Sequence, residues 1–498
     1  MNERSLETPA PAADLGEEQA RIALANQLLA GNRYGTPEHE RGLELMQRAA
    51  TGVLAPQAQW LLGAYYLQVG SRPNAQAEAA RWLQEAAQAG VSPAIDRLAD
   101  LYLQGLGLPF SIPRALELHR HLADRGHPPS AWQAGYLASQ DATPRASRED
   151  PAATAFLRAS ALAYPPAYYS LGLRFALGAG IAQDKALGRA LLLRAADGGY
   201  LDARVAADEL VPEQDVGSEA AMWHARLKRN LEEAQPLLAR LAPGDALIGQ
   251  PANAVLPKLE AHLVGIEHPA LRLDASGRAY VETDGSEPLR AVPRAWDWAS
   301  LQPKVGISRG FATREECAHL MNKVANSLTL PHEYRISDSA NDDAELISFS
   351  GRGRPLGAMH SDAVVRLLER RTASMADWSM AALEMCSIIR YQPGEEYRPH
   401  VDFFSDEQIE VNRIQKGDPS GQRIATFLLY LHAPAAGGET EYPKSGLVVR
   451  GERGMAVLHY NVSADGRQDQ ASLHIGRPVR EGEKWLWRSA LRERSLYG

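Results

Sequence analysis

The 498-residue chain reads as a multidomain α + β protein, an α-helical solenoid followed by a β-rich sandwich or jelly-roll domain. Three observations carry this. Alanine-led helical segments recur every 36 or 37 residues through the N-terminal half. Short apolar runs separated by turn signals fill the C-terminal part, as in antiparallel β architectures. A stretch interrupted by proline and glycine, Leu241-Ala-Pro-Gly-Asp and Gly249-Gln-Pro-Ala-Asn, lies between them.

Composition sets the frame. Apolar residues make up 45% and charged residues 23%, as in soluble globular proteins. The net charge of -8 provides no general basic field for phosphates, so nucleic acid is not expected as a partner. The two cysteines, Cys317 and Cys386, form no C-x-x-C and stand in apolar surroundings, which suits buried free thiols in a reducing compartment. The first twenty residues have no apolar core of a signal peptide, and no run of 18 apolar residues exists. A cytoplasmic protein with no membrane partner is the expectation.

Residues 1–20 read as a disordered tail. Beyond it, the repeat starts at Ala58, Ala94, Ala131, Ala167 and Ala203. Second helical segments follow, such as Ala80–Gly90, Ala115–Gly126 and Ala190–Gly199, each closed by a glycine suited to a left-handed helix end. Small alanines let paired helices approach, and Leu and aromatic residues form a stripe that only stacked neighbours bury. The pattern A-x-x-x-L-G-x-x-Y … A-x-x-W-x-x-x-A-A-x-x-G resembles Sel1-like repeats, relatives of the tetratricopeptide repeat. Four good copies fall between about 58 and 202, with weaker ones at about 21–52 and 203–235, giving a solenoid over 21–235. Such repeats commonly bind proteins; the competing role is a prop or dimerisation device. His119 and His121, at i and i+2 on a helix, do not face each other and read as a solvated face.

Residues 236–295 read as a linker with entry strands of the second domain, including a β-hairpin from Leu271 to Val281 around Ala275-Ser-Gly277. From 296 to 498 a second domain follows. Thr313-Arg-Glu-Glu316 is a capping-box pattern opening a helix through about Ser327. Ser361-Asp362 precedes another, Ala363 to about Ala376. Strands are expected at Ser387–Tyr391, Ile424–Leu431, Leu447–Val449, Met455–Tyr460 and Lys484–Leu486. The polar segment Ser405–Gly421 is expected to be a mobile loop that closes over substrate.

Chemistry concentrates in Tyr391-Gln-Pro-Gly-Glu-Glu-Tyr397-Arg-Pro-His400-Val-Asp402. On a strand, His400 and Asp402 point to one face. An imidazole and a carboxylate would converge there, two-thirds of a 2-His-1-carboxylate facial triad for Fe(II). A polar turn without metal fits the same two residues.

The wider set is Y-x-x-G-x-x-Y-x-P-H-x-D … R-x-x-T-x-x-x-Y-L … G-G-E-T … S-L-H … G-x-K-W. It resembles the iron(II)/2-oxoglutarate dioxygenases of the prolyl 4-hydroxylase branch, over roughly residues 296–498. The resemblance implies a double-stranded β-helix (jelly roll) with flanking helices, and Fe(II), 2-oxoglutarate, O2 and ascorbate as cofactors. It implies iron ligation and catalysis by His400, Asp402 and His474, the last from Ser472-Leu-His474. It gives Lys484 the far carboxylate of 2-oxoglutarate, with Tyr391 and Thr440 hydrogen-bonding the same group. A lysine buried alone tends to lose its proton, and a facing carboxylate keeps it charged. Tyr397 and Arg423 match substrate-side positions; a packed strand aromatic and a surface ion-pair partner compete with those roles. The family's substrate-side Trp and His after the lysine are replaced by Ala490 and Arg492. The implied function is hydroxylation of peptidyl proline in a protein target recruited by the repeats. The alternatives are a hydroxylase of a free amino acid or other small molecule, and a non-catalytic adaptor.

Overall fold

The computed structural model describes residues 12–31, 35–69, 74–140, 148–241, 255–329 and 351–497. It divides into two units, one holding the described residues up to 118 and the other those from 119 on. The first contains α1 (Ala12–Gly31), α2 (Pro37–Ala49), α3 (Ala55–Gln68), α4 (Ala75–Gln88), α5 (Ser92–Gln104) and the start of α6 (Ile112–Ala123). Consecutive helices pack in pairs, α1 with α2 and α3 with α4. The repeat glycine sets their approach: a Cβ on Gly63 would stand 2.6 Å from the Leu83 side chain, inside contact distance. Residues 12–20 are helical and do not belong to a tail. The Ala/Glu-rich start of α1 is good helix-forming sequence, and Ile22 and Ala25 anchor it on Met46 and Ala49. Residues 1–11 of the expected tail lie outside the described residues.

The second unit continues the solenoid with α7 (Pro128–Ser139), α8 (Pro151–Ala161), α9 (Pro165–Leu177), α10 (Lys185–Asp197), α11 (Ala203–Leu210) and α12 (Gly217–Ala239). A Cβ on Gly135 would meet Phe156 at 2.7 Å, the counterpart of the Gly63 contact. Gly90, Gly126 and Gly199, expected at left-handed helix ends, have φ of 85°, 82° and 78°. The two histidines of α6 part company. His121 is exposed, whereas His119 is fully buried beside the Ser130 hydroxyl (Nδ1···Oγ 3.4 Å), because it shares the inward stripe of Ala115 and Leu122. His119 is therefore not part of a solvated face.

The middle segment forms α13 (Leu256–Val264) and a hairpin of β1 (Leu271–Leu273) and β2 (Ala279–Val281), paired Leu271 to Val281. The turn is closed by the Asp274 carboxylate, which accepts from the amides of Ser276 and Arg278. The hairpin is a sheet of its own and does not enter the second domain's sheets. It docks on α8, where the Asp150 amide donates to the Val281 carbonyl (2.9 Å) and the Val281 amide to the Thr154 hydroxyl (3.0 Å). Short, half-apolar strands are covered equally well by a helix, so their pattern did not fix the partner.

The remaining elements are β3 (Asp297–Leu301), β4 (Lys304–Ser308), α14 (Arg314–Val324), β5 (Arg352–Pro355), α15 (Ala363–Met375), β6 (Ser387–Tyr391), β7 (Tyr397–His400) and α16 (Asp406–Lys416). After them come β8 (Arg423–His432), β9 (Ala436–Gly437), β10 (Thr440–Tyr442), β11 (Leu447–Val449), β12 (Ala456–Tyr460), β13 (His474–Gly476), β14 (Val479–Glu481) and β15 (Lys484–Arg492). A seven-stranded sheet ordered β3-β4-β12-β8-β15-β6-β5 and a four-stranded sheet ordered β11-β10-β13-β7 are antiparallel throughout. Ile389, Leu428, Tyr430 and Leu486 of the larger sheet share one apolar core with Tyr442 and Val449 of the smaller, the layering of a jelly roll. Two expectations change here. Ser405–Gly421 is not a loop: Ser405 and Gln408 form a capping box that starts α16, and Gly417 (φ 65°) ends it. The last strand runs on to Arg492, since β15 lies between β6 and β8.

Within the second unit, α14 seats the jelly roll on the repeats. Its capping-box Glu316 accepts from the Tyr136 hydroxyl (2.7 Å) and from Arg371 (2.9 and 3.1 Å). Arg174 pairs with Glu315 at 3.3 Å with both side chains buried. The Trp132 indole stacks on His319 at 4.4 Å, and Arg314 and Arg453 converge on Asp202 at 2.7 and 2.9 Å.

Candidate active site

Strand pairing assembles the metal ligands. His400 ends β7, His474 opens β13, and the two are direct partners across the ladder. Asp402 follows His400 by two residues, and ligand atoms of all three lie within 4.8 Å of one another. Both rings are oriented by their other nitrogen. His400 Nδ1–H donates to the Arg398 carbonyl (2.8 Å) and His474 Nδ1–H to the Ser472 carbonyl (3.0 Å), which leaves each Nε2 as a lone-pair donor facing Asp402. Burial lowers the pKa of both imidazoles, His474 most, so both are neutral as metal binding requires.

Asp402 is held as an anion. Burial works against its charge, but Arg488 and the rings of His459, His474 and His400 keep it well below the usual carboxylate range. Arg488 donates to Oδ1 at 2.9 Å and the Thr426 hydroxyl to Oδ2 at 2.7 Å. Asn461 in turn donates to Thr426 (3.1 Å). His459, fully buried on β12, brings Nε2 to 3.5 Å from Asp402 and hydrogen-bonds Tyr442 through Nδ1 at 2.9 Å.

The ligands open onto a cavity of about 400 Å³. At one end Lys484 Nζ lies 5.5 Å from the Tyr391 ring centroid and 5.4 Å from that of Tyr430, whose hydroxyl shares a 2.6 Å hydrogen bond with Thr440. Burial brings its pKa down to about 7, opposed only by the field of Glu439, and among the described residues it forms no ion pair. Two neutral nitrogens and one anionic oxygen fit Fe(II) with open positions, and a buried, unneutralised ammonium in the same cavity fits the free carboxylate of 2-oxoglutarate.

Of the substrate-side pair, Tyr397 lines the cavity and stacks on His400 at 3.6 Å. Arg423 turns away from it, donating to Glu384 (2.8 Å) over the Phe404 ring. Arg488 lines the cavity in its place. The signal for it was available: residues 484, 486 and 488 alternate onto one face once the strand is long enough. His459 has no sequence signal, since a histidine in an apolar strand reads equally well as packing.

Comparison with known proteins agrees with this chemistry. Residues 386–489 match the family described as 2OG-Fe(II) oxygenase superfamily, and residues 19–52, 56–91, 92–127 and 165–200 match the Sel1 repeat. The helix pair α7–α8 falls outside the Sel1 matches although it keeps the close glycine contact. The chain is 31% identical over 205 residues to prolyl 4-hydroxylase 5 of Arabidopsis thaliana, covering 37% of this chain and 67% of the relative. It is 30% identical over 242 residues to probable prolyl 4-hydroxylase 3 of the same plant, covering 43% and 78%. Similar solved structures include the viral collagen prolyl hydroxylase of Paramecium bursaria Chlorella virus-1 in complex with 2OG (22% identity, 38% of this chain and 95% of that one, TM-score 0.28). Another is a Sel1 repeat protein from Oxalobacter formigenes (25% identity, 50% and 73%, TM-score 0.35). The chain belongs to the prolyl 4-hydroxylase family of 2-oxoglutarate- and Fe(II)-dependent dioxygenases, with Sel1 repeats ahead of the oxygenase domain.

Proposed function

We propose that the chain hydroxylates a prolyl residue of a peptide or protein. The supporting observation is one cavity that joins His400, Asp402 and His474 to the buried ammonium of Lys484, in a member of this family. Bound there, iron(II) with 2-oxoglutarate and O2 supplies oxidation of an unactivated C–H bond, with release of succinate and CO2. The chain's residues position and shield. His400 and His474 present fixed Nε2 lone pairs, and Asp402 carries the ligand charge, its geometry fixed by Thr426 and Arg488. Lys484 orients the cosubstrate from the closed end, with Tyr391 and Thr440 beside it. Tyr397 forms one wall on the substrate side.

Sel1 repeats serve protein interaction, and we assign target recruitment to the copies before residue 118. The faces of α7 and α9 are already taken up by α14 and α15 of the chain's own oxygenase domain. The test is succinate formation by the Fe(II)-loaded protein with 2-oxoglutarate and proline-containing peptides. Turnover with peptides and none with their proline-to-alanine versions is expected. Turnover with a free metabolite alone would replace this substrate with a small molecule.

A further inference from the structure

Arg488 is an unusual neighbour for an iron ligand. Its Nη2 stands 2.9 Å from Asp402 Oδ1, yet the side chain keeps 23% of its surface exposed and lines the cavity beside Tyr397. It lies four residues beyond Lys484 on β15, so both point to the same side of the strand, about 13 Å apart along it. One cavity thus carries a cation toward each end, with the metal ligands reaching the second.

The surrounding charges sharpen the point. Arg423 and Arg492 share Glu384 at 2.8 and 3.0 Å, and Arg492 also takes Asp418 at 3.1 Å. Those groups satisfy one another outside the cavity lining. Arg488 has Asp402 as its ion-pair partner, and a divalent metal claims that same carboxylate. With iron(II), the 2-oxoglutarate dianion and Lys484 counted in, the loaded site holds one more positive charge than negative, and Arg488 is the cation left facing substrate.

We propose that Arg488 is a specificity-determining residue that takes a carboxylate of the substrate close to the carbon that is hydroxylated. This deepens the hydroxylase reading and rests on it. The carboxylate has three sources: an Asp or Glu side chain next to the target proline, the chain terminus of a C-terminal proline, or free proline. A guanidinium on β15 recognises each by the same paired hydrogen bonds.

The test uses the full-length protein loaded with Mn(II) and 2-oxoglutarate, and reads peptide affinity by anisotropy independently of turnover. Matched ligands differ in one group: Pro-Glu against Pro-Gln, Glu-Pro against Gln-Pro, C-terminal Pro-acid against Pro-amide, and L-proline against prolinamide. One carboxylate form is expected to bind about tenfold or more tighter than its neutral partner, the effect of a charged hydrogen bond in a site shielded from water. Which pair shows it names the source. In Arg488→Gln that preference falls to within about twofold, and Arg488→Lys restores part of it. Mn(II) affinity is measured in parallel, because Arg488 touches a metal ligand. A purely structural Arg488 would lower metal affinity while leaving the ratio between paired ligands unchanged, which overturns the inference. Equal binding of all pairs by the unaltered protein overturns it without any variant. Selective binding of an acidic ligand with no hydroxylated product would sink the hydroxylase reading and leave the carboxylate subsite standing. Hydroxylation of every peptide at equal affinity would do the reverse.

Discussion

Lys484 titrates near 7 because its ammonium is buried between aromatic rings with only the distant charge of Glu439 to support it. Its ordinary value is 10.5, so between about 7 and 10.5 the unfolded chain holds a proton that the free folded protein does not. The contribution of this group therefore makes the free protein more stable as pH rises through that window. A bound carboxylate restores the proton. Binding of 2-oxoglutarate above pH 7 is thus expected to take up protons and to weaken with rising pH, seen as a buffer-dependent heat in calorimetry. Lys484→Met is expected to cut 2-oxoglutarate affinity by about tenfold or more without lowering the melting temperature at pH 7. Thr426 gives a second expectation at this scale. Thr426→Val removes the donor to Asp402 Oδ2 and should weaken Fe(II) or Mn(II) binding by about 10- to 100-fold, measured by metal titration. The ligand pair His400 and Asp402 was legible from strand geometry, and His474 and Lys484 came through the family pattern. The anchoring groups Arg488, His459 and Asn461 were not legible, because they act through contacts between strands far apart in sequence.

Helix α14 shows how one short motif does two jobs. The Thr313–Glu316 box that starts the helix also aims the Glu316 carboxylate at Arg371 and Tyr136. Glu316→Ala would remove the cap and leave Arg371 half-paired in a buried place, a loss of about 3–5 kcal/mol, read from chemical denaturation. The sequence announced this cap but not its partners, since Tyr136 lies 180 residues away. In α16 the failure ran the other way. Ser405 and Gln408 carry the same box chemistry, yet a polar segment beside the metal ligands invited a loop assignment. Helices with few buried apolar residues give periodicity little to report, and the caps were the better guide.

At the scale of the whole chain, the repeat period was plain in sequence, and the division of labour among the repeats was not. Copies share an Ala/Gly skeleton that fixes helix spacing, while the residues on the exposed helix faces decide what is held. Trp132, Tyr136, Tyr169 and Arg174 occupy such faces and serve the oxygenase domain. A fragment of residues 108–498 is therefore expected to fold cooperatively and to turn over 2-oxoglutarate with short peptides at near full rate. It should lose activity on a folded protein target, and side-by-side kinetics would separate the two.

The seating of α14 on α7 and α9 also bears on how such a gene can change. Unequal crossing-over adds or drops a module of about 36 residues at a time. Between residues 128 and 210 any such event would shear Glu315, Glu316 and His319 from Arg174, Tyr136 and Trp132 and be purged. Upstream of residue 118 the same event leaves those pairs intact, so descendants of this gene should differ in module number there and nowhere else.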